Sequence, residues 1–481
     1  MLHNKGGEQK LFKLFGHFSL VLLLASVSLS AGSFEKFKRT QSKGYVTYKN
    51  ESDAAFSSYL KEQWKQYVSE KSKVLYEKQK PEIIAPTIEK SIKPVGPYAY
   101  ISIKKNIIKT IVPQEIKENA IEVEYFGATL GFSNLTSIKD AKFYPTNQEG
   151  IATFFNLLVH SNYEQLVQEI EATQKRFNLN DWGVYLLITE LSKVYYKGLD
   201  EAKLFTWFLF NRLGYDVKVG LKEKHVVVMF YSKKTIYNTP NYLFKTKKFY
   251  VLAEYAKGSR QRVYTYNKSS KNAAKAFDLE MQELPLLAKK IKEKKLSFVD
   301  EGKNYSILFK YNQNLIDFMS TYPQADYTTY FNAHMENETY DAIAKGIKQC
   351  IEGKKMSVAL NFVLHFVQKS FKYQVDEKQF GREKVMFAEE TLYYDKSDCE
   401  DRAILFSYLV KKLFHIKVIG VKYRDHMATA LYIPMSGDSV QKGTRKYVIA
   451  DPTYINANVG VSMKKYKSIR PESFIVVGRN L

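Results

Sequence analysis

The chain has 481 residues, of which 45% are hydrophobic, an ordinary value for a globular protein that excludes disorder throughout. At ~150 residues per domain, this length accommodates about three domains. The 73 Lys and Arg residues exceed the 50 Asp and Glu residues, which gives a formal net charge of +23. This charge favours a solvated basic surface, and affinity for polyanions or an anionic envelope component is the alternative. Nucleic acid is disfavoured as a partner, because the lysines are spread along the chain and no nucleic-acid motif is visible.

The first 32 residues have the three parts of a secretory signal peptide. Lys5 and Lys10 precede the apolar run at residues 18–27, and small residues follow it. The run is too short for a comfortable membrane span, and no later stretch reaches that length without charge. We therefore expect residues 1–32 to be a signal peptide, the mature chain to be periplasmic or secreted, and no transmembrane span to remain.

Residues 33–97 are expected to form a basic, aromatic helical region followed by a linker. Phe56, Leu60 and Trp64 lie near helical spacing, so residues 34–80 predict a long helix. Such a helix either packs on the main body or forms a stalk that binds a partner. The linker is marked by four helix-breaking prolines, Pro81, Pro86, Pro94 and Pro97.

The rest of the chain divides into three parts. Residues 98–260 predict one domain, which opens with a strand because apolar and acidic residues alternate from Ile121 to Tyr125. Residues 261–330 predict a connector with some sheet. It contains a helix-like run at 287–295 and a strand-like run at 305–309. Residues 331–481 predict a second domain, in which residues 341–371 form one or two helices with Cys350 in the core.

The C-terminal domain contains a cysteine at a predicted helix start. Cys399 precedes apolar residues that recur at helical period, among them Ile404, Leu405, Tyr408 and Leu409. The free backbone N–H groups and the positive end of a helix dipole favour a thiolate, which is the nucleophilic form of cysteine.

Three short apolar segments after this helix predict strands at residues 417–423, 427–433 and 446–451, separated by turn residues. His426 begins the second strand and Asp451 ends the third. One antiparallel sheet packed on the helix would bring the thiol, the imidazole and the carboxylate together. A thiol, a base and a group that orients the base are what nucleophilic acyl transfer requires.

The motif Asp398-Cys399-Glu400-Asp401-Arg402-Ala403, then His426, then Asp451 followed by Pro452-Thr453, resembles the transglutaminase-like superfamily of papain-like cysteine enzymes in its bacterial form. The resemblance covers the last third of the chain. It implies an α+β fold with a helix packed on an antiparallel sheet. It also implies Cys399 as nucleophile, His426 as general base and acid, and Asp451 as the orienting acid. Met427 departs from the aromatic residue that many members carry at this position.

Acyl transfer also needs an oxyanion hole, and the Cys399 backbone N–H is a natural first donor. The sequence leaves the second donor open between Gln374, Gln379, Tyr393 and Tyr394.

Two other interpretations of the cysteine motif stay open. Cys399 can be a buried small apolar residue, with the neighbouring acids serving only to cap the helix. Those acids would also raise the pKa of the thiol. A zinc site is disfavoured because Cys399, His426 and Asp451 include no closely spaced ligand pair, and no metal or other cofactor is expected.

The middle domain repeats the order of elements found at the C-terminus. Residues 202–213 predict a helix, 217–220 and 226–230 predict strands, and 250–254 predicts a third strand ending at Glu254. With an offset of roughly 200 residues, His225 aligns with His426, while Leu199 or Asp200 replaces the cysteine. This pattern predicts a degenerate second copy without a nucleophile, although chance similarity of a common element order is the alternative.

The sequence thus favours an exported thiol enzyme that acts on amide bonds of proteins or peptides, with hydrolysis favoured over transamidation. The opposing hypothesis is a non-catalytic envelope-binding or scaffold protein built on transglutaminase-like modules.

Overall fold

The computed structural model describes residues 31–62, 64–76, 80, 94–103, 116–252, 261–270 and 273–478. The predicted signal peptide lies outside these residues except for its last two positions, and Pro81 and Pro86 of the predicted linker also lie outside them. The chain divides between Asp53 and Ala54 into two compact units. Every sheet of the described residues lies in the second unit.

The helices are α1 (Ala31–Lys61), α2 (Gln148–Val159), α3 (Tyr163–Arg176), α4 (Asp181–Tyr195), α5 (Leu199–Arg212), α6 (Gln313–Ser320), α7 (Tyr327–Phe331), α8 (Asn337–Ile351), α9 (Met356–Lys369), α10 (Asp376–Phe380), α11 (Ala388–Tyr393) and α12 (Cys399–Phe414). The strands are β1 (Lys65–Val68), β2 (Ile121–Tyr125), β3 (Ala128–Phe132), β4 (Val217–Lys222), β5 (His225–Tyr231), β6 (Asn241–Phe244), β7 (Lys247–Tyr250), β8 (Arg262–Thr265), β9 (Ile291–Asp300), β10 (Lys303–Asn312), β11 (Lys372–Tyr373), β12 (Lys396–Ser397), β13 (Val418–Lys422), β14 (Met427–Leu431), β15 (Ser439–Lys442), β16 (Arg445–Ala450) and β17 (Ser473–Val476).

The first module comprises α2 to α5 and a sheet with the order β1-β8-β4-β5-β7-β6. The pairs in this sheet are antiparallel. Helix α5 packs on β4 and β5, because its aromatic side chains, including Phe205, Trp207 and Phe208, are buried. Two apolar layers therefore meet between the helix and the sheet.

The second module contains α8, α9, α11 and α12 with a sheet in the order β15-β16-β14-β13-β17. Helix α12 packs on β13 and β14. Its apolar face (Ile404, Leu405, Leu409) is buried against the inward residues of β14. The predicted α+β class with antiparallel sheets is confirmed, and the three predicted strands correspond to β13, β14 and β16.

The two modules share one topology. In the first, α5 is followed by strands in the spatial order β8-β4-β5-β7-β6. In the second, α12 is followed by strands in the spatial order β17-β13-β14-β16-β15. If the strands after each helix are counted along the chain, both sheets place them in the same spatial order: fifth, first, second, fourth, third. Both central strands contain a glycine where a neighbouring side chain fills the space: a Cβ on Gly220 would lie 2.6 Å from Val263, and one on Gly420 would lie 2.9 Å from Phe331. This correspondence is what duplication of one unit predicts.

Three predicted elements differ from the structure. The helix expected across residues 34–80 ends at Lys61, and β1 follows and pairs with β8 at one edge of the sheet. Tyr67 of β1 packs against Phe244 of β6, the strand at the other edge. The second half of the helix-like run at 287–295 belongs to strand β9, which begins at Ile291. In this strand Leu296 and Phe298 are buried, and the residues next to them in the chain are exposed, with a period of two. The third strand of the first module is β7, which ends where the predicted strand began.

Helix α8 and helix α9 confirm the helices predicted at residues 341–371, and Cys350 is half-buried against the core. The strand at residues 305–309 is confirmed within β10. Among the helices described, none combines the length and apolarity needed to cross a bilayer.

Candidate active site

Cys399 is the first residue of α12, as predicted. The preceding Asp398 has an extended backbone, and its N–H donates to Asp401 Oδ2 at 3.2 Å, so the helix begins with a side-chain cap. The other oxygen of Asp401 accepts from the Met386 N–H at 2.8 Å. The acids of the motif therefore do cap the helix, and they also fix the position of the thiol.

His426 and Asp451 are brought together by the pairing of β14 with β16. Thr429 lies opposite Ala450, which places His426, just before β14, next to Asp451, just after β16. His426 Nε2 lies 2.8 Å from Asp451 Oδ2, and both residues are buried. The Thr453 N–H donates to Asp451 Oδ1 at 3.0 Å, so the carboxylate is held on both oxygens.

The second imidazole nitrogen of His426 is available. Nδ1 is buried and has no hydrogen-bond partner among the described residues. The rings of Tyr423 and Tyr466 are stacked with the imidazole at centroid distances of 6.4 and 4.7 Å, which fixes its plane. This nitrogen is the one that a thiol would use, because Nε2 is engaged by Asp451.

A tyrosine from the N-terminal part of the chain contacts both Cys399 and Lys422. Tyr76 Oη is 3.7 Å from Cys399 Sγ, and its ring lies 5.3 Å from Lys422 Nζ. Lys422 is paired with Met427, the neighbour of His426. No hydrogen bond joins Cys399 to His426 within the described residues, and Cys399 has no exposed surface.

The surroundings of Cys399 hold it as a thiol in this state. Burial raises the pKa of Cys399 well above its usual value, and the carboxylates of Glu400 and Asp398 raise it further. The thiol donates to Glu400 Oε2 at 3.2 Å, and Tyr76 Oη donates to the same oxygen at 3.1 Å. The acids next to the cysteine therefore oppose the helix dipole, as the motif predicted.

Lys80 is the counterion of these acids. Its ammonium is buried beside Glu400 and lies 2.7 Å from Asp398 Oδ2, 2.8 Å from Glu383 Oε1 and 3.6 Å from Asp376 Oδ2. Burial raises the pKa of Asp398 to about 7, although Lys80 lowers it. More carboxyl groups than cations thus surround the thiol.

The four residues considered as second oxyanion donors have other partners. Gln379 Nε2 donates to the Lys396 carbonyl and Gln374 accepts from the Lys396 ammonium, each at 3.4 Å. Tyr393 packs on Tyr311, and Tyr394 packs on Phe380.

Tyr373 is a further candidate donor. Its hydroxyl is buried without a hydrogen-bond partner among the described residues. Tyr373 is paired with Ser397, two residues before Cys399. Burial raises the pKa of Tyr373, and the Cys399 charge raises it further.

The described residues of the first module contain no equivalent site. Helix α5 begins at Leu199, where α12 begins at Cys399, and the Leu199 side chain is exposed. His225 is also exposed and its Nδ1 lies 3.2 Å from Asp200 Oδ2. Glu254 lies outside the described residues. The thiol and the buried histidine–carboxylate pair thus occur together only in the second of the two modules described.

Potential metal ligands gather around the motif acids and not around the histidine. Within the described part of the chain, Cys399 can share a metal with Asp398 and Glu400, whose ligand atoms lie within 4.8 Å of one another. Lys80 already binds both carboxylates. Among the described residues, Cys399, His426 and Asp451 do not form such a cluster.

Sequence reasoning missed Tyr76, Lys80 and Tyr466; it expected residues 373–394 to line the cleft but did not consider Tyr373 as a donor. The first two are more than 300 residues from Cys399, and no local pattern links them to it. The pairing of β11 with β12, which sets Tyr373 opposite Ser397, has no signal in the sequence. No family model, no curated protein and no solved structure matches the chain.

Proposed function

We propose that the chain is an exported, periplasmic or secreted, transglutaminase-like thiol enzyme that hydrolyses amide bonds of proteins or peptides. The support from the fold is the second module, in which a helix headed by Cys399 packs on an antiparallel sheet that carries His426 and Asp451. The first module is a duplicated copy that has lost its nucleophile. Hydrolysis is favoured over transamidation because water needs no second binding site.

The observation that carries this proposal is the arrangement of His426. A buried imidazole has Nε2 held at 2.8 Å by the Asp451 carboxylate, while its buried Nδ1 has no partner among the described residues. Leaving a buried polar atom unpaired costs about 1–3 kcal/mol. An imidazole that a carboxylate holds on one nitrogen and that leaves the other nitrogen open is what a general base for a thiol requires.

The reaction would proceed in two steps. Cys399 Sγ gives its proton to His426 Nδ1 and forms a bond to the amide carbonyl carbon. Asp451 stabilises the imidazolium, which then protonates the leaving nitrogen as the C–N bond breaks. Water, deprotonated by His426, attacks the resulting thioester, and release of the carboxylic acid restores the thiol.

Two donors would stabilise the oxyanion of each tetrahedral intermediate. The Cys399 backbone N–H lies at the N-terminus of α12, where helix N–H groups are free. The Tyr373 hydroxyl is the second donor, since it is buried, unpaired among the described residues and adjacent in the sheet to Ser397.

Catalysis requires Tyr76 to leave the thiol. Tyr76 Oη lies 3.7 Å from Cys399 Sγ, and Cys399 has no exposed surface. A carbonyl carbon must reach the same sulfur to react, so the described arrangement is a closed state of the enzyme.

The test measures the pH dependence of alkylation of Cys399 by iodoacetamide in a Tyr76→Ala, Cys350→Ser background. We expect an apparent pKa below the ~8.5 of free cysteine, because uncovering the thiol lets His426 stabilise the thiolate. Adding His426→Ala should abolish that depression. If the pKa stays above that of free cysteine and does not respond to His426→Ala, the enzyme proposal fails.

The raised pKa of Cys399 favours a second candidate function, a non-catalytic envelope-binding or scaffold protein. Such a protein would keep Cys399 inert after Tyr76 is removed. It would bind anionic envelope polymers through the basic surface implied by the net charge of +23. Salt-sensitive sedimentation with envelopes, unchanged by Cys399→Ala, together with an inert thiol, would support it.

A further inference from the structure

A pocket lined by the carboxylates of Asp376, Glu383, Asp398 and Glu400, the acidic pocket, lies beside the thiol. Lys80 fills it: its side chain is 4% exposed, and those of Asp376, Asp398 and Glu400 are 1% exposed or less. Glu383 is 23% exposed, so it forms the wall of the pocket nearest to solvent. Glu400 bonds to both the ammonium and the Cys399 thiol, which makes the pocket a direct neighbour of the nucleophile.

The acidic pocket has more acceptors than Lys80 satisfies. Asp376 Oδ1 and Asp398 Oδ1 are buried without a hydrogen-bond partner among the described residues. Asp401 adds a further buried carboxyl, whose pKa burial raises to about 7. Buried ion pairs are generally weak sources of stability, because desolvation offsets the attraction. A surplus of buried carboxyls around one ammonium is therefore costly as a purely structural device.

Residues 69–76, which precede Lys80 in the chain, make backbone hydrogen bonds of the kind that a bound peptide makes. We call residues 69–76 and Lys80 the covering segment. Its backbone bonds to the first module, from Ser69 N to Gln261 O at 2.7 Å, from Glu70 N to Asn241 O at 2.9 Å, and from Asn238 N to Lys73 O at 2.8 Å. Further along, Tyr76 reaches the thiol. One segment thus presents a side chain to the nucleophile and a cation to the acidic pocket.

The following inference rests on the proposed function. We infer that the acidic pocket is a recognition subsite for a cationic side chain, lysine or arginine, of the peptide substrate, and that Lys80 occupies it here as an internal substitute. When the covering segment is displaced, the substrate's cation takes the place of Lys80 and its scissile carbonyl takes the place of Tyr76 at Cys399.

The pocket recognises a charge and does not deliver an attacking amine. Burial alone would lower the pKa of Lys80, but the carboxylates of Asp398, Glu400 and Glu383 outweigh it and hold the pKa well above its usual value. An amine bound in the same place stays protonated and has no lone pair for attack. The cation therefore sets specificity, and water remains the acceptor.

Chemical rescue of the full-length chain tests the subsite. Lys80→Ala empties the pocket, whereas Lys80→Met fills the same volume without charge. We expect propylammonium to raise the melting temperature of Lys80→Ala in proportion to the logarithm of its concentration, with no effect on wild type or Lys80→Met. Propanol, the neutral analogue, should have no effect. Stabilisation by calcium chloride but not by propylammonium would overturn the inference in favour of a metal site.

Charged thiol reagents give a second measurement that also works if Lys80→Ala does not fold. Cationic aminoethyl and anionic sulfonatoethyl methanethiosulfonate each form a mixed disulfide with a thiolate and release methanesulfinate. In a Tyr76→Ala, Lys80→Met variant, whose acidic pocket has lost its own ammonium, the cationic reagent should modify Cys399 about tenfold faster than the anionic one, relative to their ratio at Cys350. Glu383→Gln should reduce this preference. An equal ratio at both cysteines would overturn the inference.

The two proposals fail separately. Loss of the His426-dependent pKa with retained rescue by propylammonium would leave a cation-binding pocket in a protein that is not an enzyme. If the pKa of Cys399 depends on His426 but propylammonium does not stabilise Lys80→Ala and the cationic reagent is not preferred, the enzyme proposal stands and the subsite is refuted.

Discussion

Replacing Lys80 by methionine should destabilise the protein in a pH-dependent way. The substitution keeps most of the side-chain volume but removes the only cation among Asp376, Glu383, Asp398 and Glu400 that the described residues supply within ion-pair distance. Removing one partner of a buried ion pair typically costs ~3–5 kcal/mol. The carboxyls can reduce this cost by binding protons, so its size depends on pH.

The direction in which stability changes with pH follows from the pKa of these carboxyls. Burial raises the pKa of Glu383 from 4.5 to about 7, although Lys80 lowers it. A carboxyl whose pKa is higher in the folded state stabilises the fold at low pH and loses that contribution as pH rises through the folded pKa. At ~1.36 kcal/mol per pKa unit, this carboxyl alone accounts for about 3 kcal/mol between the two limits. Without Lys80 these pKa values rise further.

Urea unfolding of wild type and Lys80→Met at about pH 5 and about pH 8 measures the effect. We expect wild type to be less stable at the higher pH, and the variant to lose about 3–5 kcal/mol there and about 2 kcal/mol less at the lower pH. Lys193→Met is the control, since Lys193 is exposed and pairs only with Glu190 among the partners described; its cost should stay within ~0.5 kcal/mol at both pH values. A cost for Lys80→Met that is the same at both pH values would refute this reasoning.

Three other substitutions have defined outcomes. Asp451→Asn keeps a hydrogen bond to His426 but removes the charge that stabilises its imidazolium, so the depression of the thiol pKa should shrink by about one unit or more in the alkylation assay. Arg402→Lys should cost about 3 kcal/mol in urea unfolding, because the buried guanidinium donates to one hydroxyl and two backbone carbonyls. The pKa of Asp300, which burial raises, is lowered overall by hydrogen bonds to His365 and a lysine. The stability difference between wild type and Asp300→Asn should therefore shrink as pH falls below ~4; a constant difference would contradict this.

Local signals in the sequence predicted the second module well. An acid before Cys399 and apolar residues at helical period placed the start of α12 correctly, because capping and periodicity act within one helical turn. The strands β13, β14 and β16 were predicted from short apolar runs bounded by turns. Their pairing then followed from chain order, since short connections make neighbouring strands antiparallel, and this brought His426 to Asp451.

Elements that depend on distant packing were not predictable in the same way. The run at residues 287–295 has helix-like spacing, but β9 forms because its inward residues pack on α9. The third strand of the first module lies a few residues earlier than expected, since β7 is paired with both β5 and β6. In each case tertiary contacts override the local preference.

The position of the covering segment could not be predicted from local sequence patterns. Tyr76 and Lys80 belong to a stretch whose sequence predicts only a basic helix, yet they contact residues more than 300 positions away. The first module supplies the backbone contacts that hold residues 69–73. The first module thus has a structural part in the other one: it holds the segment that covers Cys399. The first module therefore has Leu199 in place of a thiol, and it holds the segment that closes the site at Cys399.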